Sequence, residues 1–392
     1  MQEIIETYLE KYLPRKDIIH RLPVSLPISK VWPELQKARK DKSESLPLLS
    51  IDGKPFWWVL TESISSQADE VISLARREIV FDRPEYEEAF REAVLDEAVY
   101  SSVIEGAFTT KKEAREFIHE GRSPKNKSEQ MVKNNYEALT YVLEHIDESI
   151  TEQTIFDIYA LVTKDTLEAD VPTNAYRSES VFVQSSRGEI VHTAPEAEKV
   201  SGMTASLLEF ITNNELSPLI KACIAHFYFV YVHPFIDGNG RTARALSFMM
   251  LLQAGYDFFR YFSISGVIAE ERAKYYKAIK DVEDDDFDMT YFIDYYTGML
   301  ARAVKAMEER LVDKVVMEQT LDKLKAAGMN SRVIEGAKWI LTSPNQSITI
   351  KAWQKKFGVV LETARQDLFK LEDAGIVHRK LVKRQYVFKV KK

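Results

Sequence analysis

Residues 233–244 read HPFIDGNGRTAR, and this stretch decides how the rest of the chain is interpreted. Gly238 and Gly240 flank Asn239 just before the apolar run TARALSFMMLLQAG, which predicts a helix. Glycines let backbone amides turn toward an anion, and the first turn of a helix adds positive potential. The stretch therefore predicts a phosphate-binding loop that leads into a helix.

The residues around the two glycines supply the other parts of a phosphoryl- or nucleotidyl-transfer site. His233 ionises near neutral pH and can accept a proton from an attacking hydroxyl, and Asp237 offers an oxygen ligand for Mg²⁺. Arg241 and Arg244 lie three residues apart, so both guanidinium groups can bind polyphosphate oxygens from one helix face. A histidine before a proline is more often structural, but the density of specified residues favours a site.

The stretch resembles the signature HPFx(D/E)GNGRxxR of the Fic/Doc family at every fixed position. The resemblance implies a mainly α fold, with a helical Fic core and a β-hairpin flap. It also implies an enzyme that transfers AMP from ATP to a protein hydroxyl, with His233 as the base and Asp237 as the Mg²⁺ ligand. The residues that it implies for phosphate binding are Gly238, Asn239, Gly240, Arg241 and Arg244.

Two further segments extend the resemblance. NAYRSESVFV is similar to the segment that leads into the family's flap, which aligns a target by strand addition, and SVFVQSSRGEIVHT predicts a hairpin around residues 186–188. A plain surface connection is the alternative for this hairpin. In ERAKYYKAI, Tyr275 stands where the family has a tyrosine on the adenine side. Glu283 departs from the pattern, since some relatives have an adenine-contacting asparagine there.

Residues 101–106, SSVIEG, resemble the family's inhibitory motif (S/T)xxxE(G/N) at Ser101, Glu105 and Gly106. Ser101 and Glu105 fall on one helix face, and Gly106 suits the end of that helix. In isolation, Glu105 would be interpreted as a solvated helix residue. Together with the stretch 233–244, the resemblance implies that Glu105 pairs with Arg244 and holds ATP in an unproductive pose. A carboxylate beside His233 could also orient water to remove AMP from a modified protein.

Composition indicates a folded protein of several domains. The chain has 392 residues, of which 45% are hydrophobic and 29% charged, and this length exceeds what one compact core usually supports. The single cysteine excludes an internal disulfide. The N-terminal residues lack the apolar stretch of a signal peptide, and residues 222–236 are too short for a membrane span. We therefore expect a cytoplasmic protein with no membrane partner.

Charge is distributed unevenly along the chain. Residues 331–392 hold 14 lysines and arginines against 5 aspartates and glutamates, although the whole chain has a net charge of −7. Three helical segments followed by two β-rich segments predict a winged helix-turn-helix there. The exposed basic and polar residues resemble those of a DNA-binding surface, but such modules also dock proteins, so DNA contact and a homodimer both stay open. These residues are Arg365, Gln366, Lys370, Arg379, Lys380, Lys383 and Arg384.

Four regions are expected. They are an N-terminal Fic-associated region with a hairpin at Asp52-Gly53 (1–75), a Fic catalytic domain with the inhibitory helix (76–300), a linker helix (301–330) and a winged helix-turn-helix domain (331–392).

Two functions from different classes fit the sequence. The first is an auto-inhibited protein adenylyltransferase that acts on a Ser, Thr or Tyr hydroxyl, the chain itself included, with removal of AMP as a second direction. The alternative is a DNA-binding regulator whose Fic-like core only senses nucleotide. Relatives of the fold also move phosphate or phosphocholine, but the intact Asp237 and GNGRxxR favour AMP.

Overall fold

The computed structural model describes residues 1–75, 84–168, 171–184, 190–343, 347–382 and 385–391. The chain divides into two compact units, Met1–Lys305 and Ala306–Lys392. The described residues lie mostly in helices, so the mainly α fold that the sequence predicted is confirmed. None of the helices among these residues is long and apolar enough to cross a membrane.

The first unit opens with three helices and a β-hairpin. These elements are α1 (Gln2–Lys11), α2 (Arg15–Ile19), α3 (Ile28–Lys40), β1 (Glu44–Leu49) and β2 (Pro55–Trp58). The two strands pair antiparallel, and Gly53 adopts a φ of 73° in the turn between them, a conformation that favours glycine. The predicted hairpin at Asp52-Gly53 is therefore confirmed.

Helices make up most of the remaining first unit, and the last of them continues past Lys305 into the second unit. In chain order the elements are α4 (Glu62–Ala75), α5 (Pro84–Ile104), α6 (Lys111–His119), α7 (Lys127–Glu144), α8 (Glu152–Thr163), β3 (Phe182–Gln184), β4 (Ile190–Thr193), α9 (Ala197–Asn213), α10 (Pro218–Val232), α11 (Asn239–Gln253), a 3-10 helix (Asp257–Tyr261), α12 (Ile264–Glu270), α13 (Arg272–Asp284) and α14 (Thr290–Ala326). We call the antiparallel pair β3–β4 the flap. The predicted turn at residues 186–188 lies outside the described residues.

Helices α10 and α11 form the centre of this unit. Helix α10 is apolar on nearly every side, and α11 is buried along almost its whole length although its first half is polar. Ser217 caps α10 through its hydroxyl oxygen, which accepts a hydrogen bond from the backbone N–H of Ile220, and Pro218 occupies the first turn. Because both helices are packed into the core, the short connection between them, residues 233–238, is held in a fixed place.

A buried arginine holds the N-terminal helices to this core. Arg39 donates hydrogen bonds to the hydroxyl of Tyr291 in α14 and to the carbonyls of Tyr8 and Leu13. Its guanidinium group also lies 4.0 Å from the centre of the Tyr12 ring. A buried charge is costly unless it is fully hydrogen-bonded, so these contacts fix α1 and α3 against α14.

The second unit has its own hydrophobic core and a three-stranded sheet. Its elements after α14 are α15 (Ser331–Thr342), β5 (Ser347–Thr349), α16 (Ile350–Phe357), α17 (Leu361–Asp373), β6 (Val377–Val382) and β7 (Gln385–Val390). The strands pair antiparallel in the order β5-β7-β6. Three helices followed by two strands is the order that the sequence predicted, with β5 added. Lys383 and Arg384 lie outside the described residues.

Trp353 and Asp367 organise the core of the second unit. Trp353 is fully buried, and its ring packs so close to Gly336 that a Cβ at this position would collide with it. The buried Asp367 accepts hydrogen bonds from Trp353 Nε1 at 3.1 Å and from Arg332 Nε at 2.6 Å. Because the carboxylate is paired on both sides, it can lie inside the unit without a large desolvation cost.

Candidate active site

Four of the predicted site residues, Glu105, His233, Gly240 and Tyr275, line one cavity of about 320 Å³. The cavity lies between the end of α10, the start of α11, the end of α5, the flap and α13. Its lining residues are Lys16, Glu105, His192, Val230, His233, Gly240, Ala273, Tyr275, Tyr276, Lys277, Ile279 and Lys280. The fold thus brings Glu105 beside His233 and Gly240, although Glu105 comes from a distant part of the sequence.

His233 follows the last residue of α10 and adopts a left-handed conformation, with a φ of 50°. This conformation is uncommon for a residue with a side chain, and such strain is concentrated at functional sites. Its Nδ1 lies 3.2 Å from the carbonyl oxygen of Val230, which can only accept, so we assign the proton to Nδ1 and the lone pair to Nε2. Burial lowers the pKa of His233 to about 4. The ring is therefore neutral at pH 7 and can act as a base.

The glycine loop, residues 237–241, is held by hydrogen bonds of its own side chains. Asn239 is buried; its Oδ1 accepts from the N–H of Phe235 at 2.9 Å, and its Nδ2 donates to the Phe235 carbonyl at 2.7 Å. Gly238 has a φ of 80°, and a Cβ there would lie 2.7 Å from the methyl carbon of Thr163. At Gly240, a Cβ would collide with the carboxylate of Glu105. Gly238 is therefore required by its backbone conformation and by Thr163, whereas a side chain at Gly240 would displace the carboxylate of Glu105.

Arg241 and Arg244 bind different partners, although the sequence placed them on one helix face. Arg241 is buried; its Nη1 donates to the carbonyl of Val162 at 2.6 Å, and its Nη2 lies 3.3 Å from Asp237 Oδ1. These contacts tie the loop to the end of α8 and orient Asp237. The phosphate contact that the family resemblance implies for Arg241 stays a prediction.

Asp237 presents a single carboxylate at the start of the glycine loop. Its side chain is 46% exposed, and Oδ1 accepts from the N–H of Gly238 at 2.6 Å. Among the residues that the structure describes, no three His, Cys, Asp or Glu side chains cluster as a metal site. One carboxylate nevertheless suits Mg²⁺, which is commonly held by one or two carboxylates, water and substrate phosphates. The donor set therefore fits a magnesium ion that arrives with a nucleotide.

Arg244 is engaged by residues 101–106, the segment that the sequence predicted to be inhibitory. Its Nε donates to Ser101 Oγ, and its Nη2 donates to the Ser101 carbonyl and to Glu105 Oε1, each at 2.8 Å. The side chain of Arg244 is 2% exposed and that of Glu105 is 28% exposed. Burial alone would lower the pKa of Arg244, but the charge of Glu105 leaves it raised. Helix α5 ends at Ile104, and Gly106 has a φ of 94°, as expected of a glycine after a helix end.

Helix α5 is fixed in place by a buried carboxylate two turns before the inhibitory glutamate. Glu97 accepts hydrogen bonds from Ser263 Oγ at 2.7 Å and from the N–H of Ser265 at 2.9 Å. Both serines lie at the start of α12, where an anion satisfies free backbone N–H groups. On the opposite side, Asn135 of α7 donates to Ser102 Oγ at 3.2 Å. The main part of α5 is thus held from both sides.

Two adjacent tyrosines of α13 line the cavity in different ways. Tyr275 is only 2% exposed, and its hydroxyl lies 2.8 Å from Nε2 of the buried His226. Tyr276 is half-buried, and its hydroxyl donates to the carbonyl of Ile104 at 3.4 Å. Neighbouring residues on a helix point about 100° apart, so one ring enters the core and the other faces the cavity. Sequence reasoning missed Tyr276, although the doubled tyrosine was a usable signal.

The flap contributes His192, which the sequence did not single out. Its Nε2 lies 2.8 Å from the carbonyl oxygen of Tyr231, and its Nδ1 lies 2.8 Å from Glu283 Oε1. Glu283 therefore contacts a flap residue. Lys16 of α2 also reaches the cavity, and no local sequence signal marks it because the N-terminal helices meet α13 only in the fold.

Together, the fold and site define a helical protein with a glycine loop between two core helices. Residues 149–251 match the Fic/DOC family. A crystal structure of a Fic family protein from Desulfovibrio desulfuricans G20 superposes with a TM-score of 0.56 at 21% sequence identity. That similarity covers 85% of this chain and 98% of the other, and it shows that the two share a fold.

Curated relatives carry a common name. The protein adenylyltransferase Fic of Nematostella vectensis is 30% identical over 210 residues, which are 50% of this chain and 45% of that protein. The protein of the same name from Drosophila erecta is 26% identical over 234 residues, which are 57% of this chain and 43% of that protein. The chain thus spans less than half the length of these relatives.

Proposed function

We propose that the chain is an auto-inhibited protein adenylyltransferase, which transfers AMP from ATP to a hydroxyl of a protein. The observation that carries this proposal is that the neutral His233, Gly240 and the Glu105–Arg244 ion pair meet at one cavity. The similarity to proteins named protein adenylyltransferase Fic supports it.

The proposed reaction is an in-line displacement at the α-phosphate of ATP. His233 Nε2 takes the proton of the target hydroxyl, and the hydroxyl oxygen forms a bond to the α-phosphorus. The bond from that phosphorus to the bridging oxygen breaks, and pyrophosphate leaves with the electron pair. The backbone N–H groups of Asn239 and Gly240 at the start of α11 bind the phosphates, where preorganised donors stabilise developing charge. The N–H of Gly238 joins them once it leaves Asp237 Oδ1, to which it donates in this structure.

The remaining subsites follow from the same cavity. Asp237 would hold Mg²⁺, which neutralises phosphate charge when it is bound. Arg244 binds the γ-phosphate once Glu105 releases it, and Arg241 fixes the loop on the β-phosphate side. Tyr275 and Tyr276 of α13 also line the cavity, and we assign them to the adenine side.

The first test uses ATP labelled on either the α- or the γ-phosphate, incubated with the Glu105→Gly protein and Mg²⁺. We expect protein-bound label from α-labelled ATP and none from γ-labelled ATP, because pyrophosphate departs with the γ-phosphate. Incorporation from γ-labelled ATP would indicate phosphate transfer. If neither label is incorporated, the nucleotide-sensing regulator is the better interpretation.

The target is proposed to carry a Ser, Thr or Tyr hydroxyl, and the chain itself is a candidate. Mass spectrometry of the incubated protein identifies any self-modified residue. Removal of AMP, a homodimer and a cytoplasmic location stay predictions.

We also propose that the second unit is a winged helix that contacts DNA, and a specific surface favours this. Pairing across the sheet places Lys380 and His378 of β6 on the same face as Lys389 of β7, and all three are exposed. No Asp or Glu lies on this outward sheet face among the described strand residues. The described residues on the face are Ser347, Thr349, His378, Lys380, Val382, Gln385, Val387 and Lys389.

Helix α17 carries a different charge pattern from the outward sheet face. It exposes Arg365 and Lys370, but also Glu362 and Asp373, so its exposed charges balance. A phosphate backbone attracts unopposed cations most strongly. The sheet face is therefore the better candidate for DNA contact than the helix that the sequence analysis emphasised.

A matched pair of double variants distinguishes the two surfaces. Binding of the full chain to a labelled DNA duplex is followed by fluorescence anisotropy between about 50 and 200 mM salt. We expect Lys380→Glu with Lys389→Glu to weaken binding by roughly tenfold or more, because two phosphate contacts become repulsive. Arg365→Glu with Lys370→Glu should change it much less. A greater loss of DNA affinity in the Arg365→Glu, Lys370→Glu variant would contradict the sheet-face assignment. If the unmodified chain does not bind the duplex, the proposal of DNA contact is wrong.

A further inference from the structure

The carbonyl groups at the end of α10 all have hydrogen-bond donors. An α-helix leaves its last carbonyls without partners inside the helix, so other groups must satisfy them. His233 Nδ1 donates a hydrogen bond to the carbonyl of Val230, and His192 Nε2 of the flap donates one to the carbonyl of Tyr231. The carbonyls that follow are all bound by Arg177, which lies in the segment leading into the flap.

Arg177 binds three consecutive backbone carbonyls at this helix end. Its Nε donates to the carbonyl of His233 at 2.8 Å, and its Nη2 lies 3.4 Å from the carbonyl of Val232. Its backbone N–H donates to the carbonyl of Pro234 at 3.0 Å. The peptide groups on both sides of His233 are therefore held by one residue.

The same guanidinium group closes the base of the flap. Its Nη1 donates to the carbonyl of Glu179 before β3 at 2.7 Å, and its Nη2 donates to the carbonyl of Pro195 after β4. Arg177 is 4% exposed, and each of its hydrogen bonds among the described residues goes to a backbone carbonyl. A planar fork with several donors can bridge both structures at once, which a single ammonium cannot do.

We propose that Arg177 is a positioning residue that couples the flap to His233. It holds His233 in its left-handed conformation, which is unfavourable without bonds from outside the helix, and it fixes the flap at a set position relative to the His233 ring. A hydroxyl on a target aligned by the flap then meets His233 Nε2 at the correct distance. This inference rests on the proposed transferase function, because it explains how that reaction is aligned.

The test is steady-state AMP transfer by Arg177→Lys in the Glu105→Gly background, with α-labelled ATP and with an identified target or the chain itself. Lysine keeps the charge but cannot form the fork, so the base and the target lose their alignment. A displacement of about 1 Å typically costs about 100-fold, so we expect kcat to fall about 100-fold. KM for ATP should stay within about twofold, because no phosphate-binding group is changed.

Arg302→Lys in the same background is the matched control, since Arg302 pairs with Glu270 and Glu271 on the exposed surface of α14 and α12. It should leave kcat and KM unchanged. Arg177→Gln serves as a second variant, and ATP binding by calorimetry is measured for both. An unchanged kcat overturns the proposal. Equal changes in kcat and KM, or loss of ATP binding in both variants, also overturn it, because Arg177 would then support the nucleotide pocket itself.

Failure of the proposed function is recognised separately, because the Glu105→Gly parent would then transfer no AMP. The coupling is tested in that case by the NMR signals of the His233 imidazole. We expect them to shift in Arg177→Lys and to remain in place in Arg302→Lys. Unshifted His233 signals in Arg177→Lys would overturn the coupling.

Discussion

Replacing Glu105 by glycine is expected to raise the rate of AMP transfer by roughly 10- to 100-fold. Glu105 Oε1 accepts a hydrogen bond from Arg244 Nη2 at 2.8 Å. This N–H group is then not available to the γ-phosphate of ATP. A charge-assisted hydrogen bond of this kind contributes about 1.5–3 kcal/mol. Because Glu105 competes with the γ-phosphate for Arg244, removal of this bond corresponds to a rate increase of roughly 10- to 100-fold. The measurement is incorporation of label from α-labelled ATP at fixed ATP concentration.

Glu88→Gln is the matched control for this variant. Glu88 lies exposed on the same helix, so its substitution should leave the rate unchanged. Glu105→Gln adds a second arm, because it keeps the shape of the side chain but removes the charge that holds Arg244. Equal labelling by Glu105→Gly and the unmodified protein would show that the ion pair does not inhibit.

His233→Ala in the Glu105→Gly background is expected to lower AMP transfer by about 10³-fold or more, while ATP still binds. A positioned general base typically contributes 10²–10⁴-fold, and the alanine variant also loses the hydrogen bond to Val230. His145→Ala is the control, because His145 lies at the end of α7, outside the cavity lining. Full activity of His233→Ala would remove the assigned base from the mechanism.

The pH dependence gives an independent check on the same residue. Burial lowers the pKa of His233 to about 4, so the neutral base persists well below pH 7. Transfer should therefore hold constant as pH falls from 7 to about 5.5 and should decline as pH approaches the pKa of the ring, where the base becomes protonated. A decline centred near the ordinary histidine value of about 6.5 would show that the ring is not desolvated in the active enzyme.

Local sequence patterns predicted much of the fold. The three helical and two β-rich segments expected in residues 331–392 are present as α15, α16, α17, β6 and β7, because their apolar spacing and caps are local signals. The helices α1 and α3 were not predicted, since short amphipathic helices are stabilised mainly by tertiary packing such as the contacts of Arg39. Strand β5 was also missed, because three residues form a strand only when β7 lies beside them.

The candidate site likewise combines residues that local sequence patterns reveal with residues that only the fold brings together. The glycine loop and the inhibitory segment were found because their residues sit close together in sequence. Lys16 and His192 reach the site through contacts between distant elements, which no spacing in the sequence reveals. Arg177 lies in the segment NAYRSESVFV and Tyr276 follows Tyr275, but the contacts that bring both to the site form only in the fold. Arg241 and Arg244 share a helix face as expected, but the partners that bind them come from α8 and from the end of α5.

The anchoring of α5 determines how the inhibition is relieved. Glu97 and Ser102 are bound to neighbouring helices, whereas Glu105 lies just beyond the last helical residue, in a turn closed by the hydrogen bond from its N–H to the Ser102 carbonyl at 3.1 Å. Only this turn has to open, and fraying of a helix end takes nanoseconds to microseconds. Inhibition is then a rapid competition for Arg244, and the basal rate should rise in a graded manner with ATP concentration.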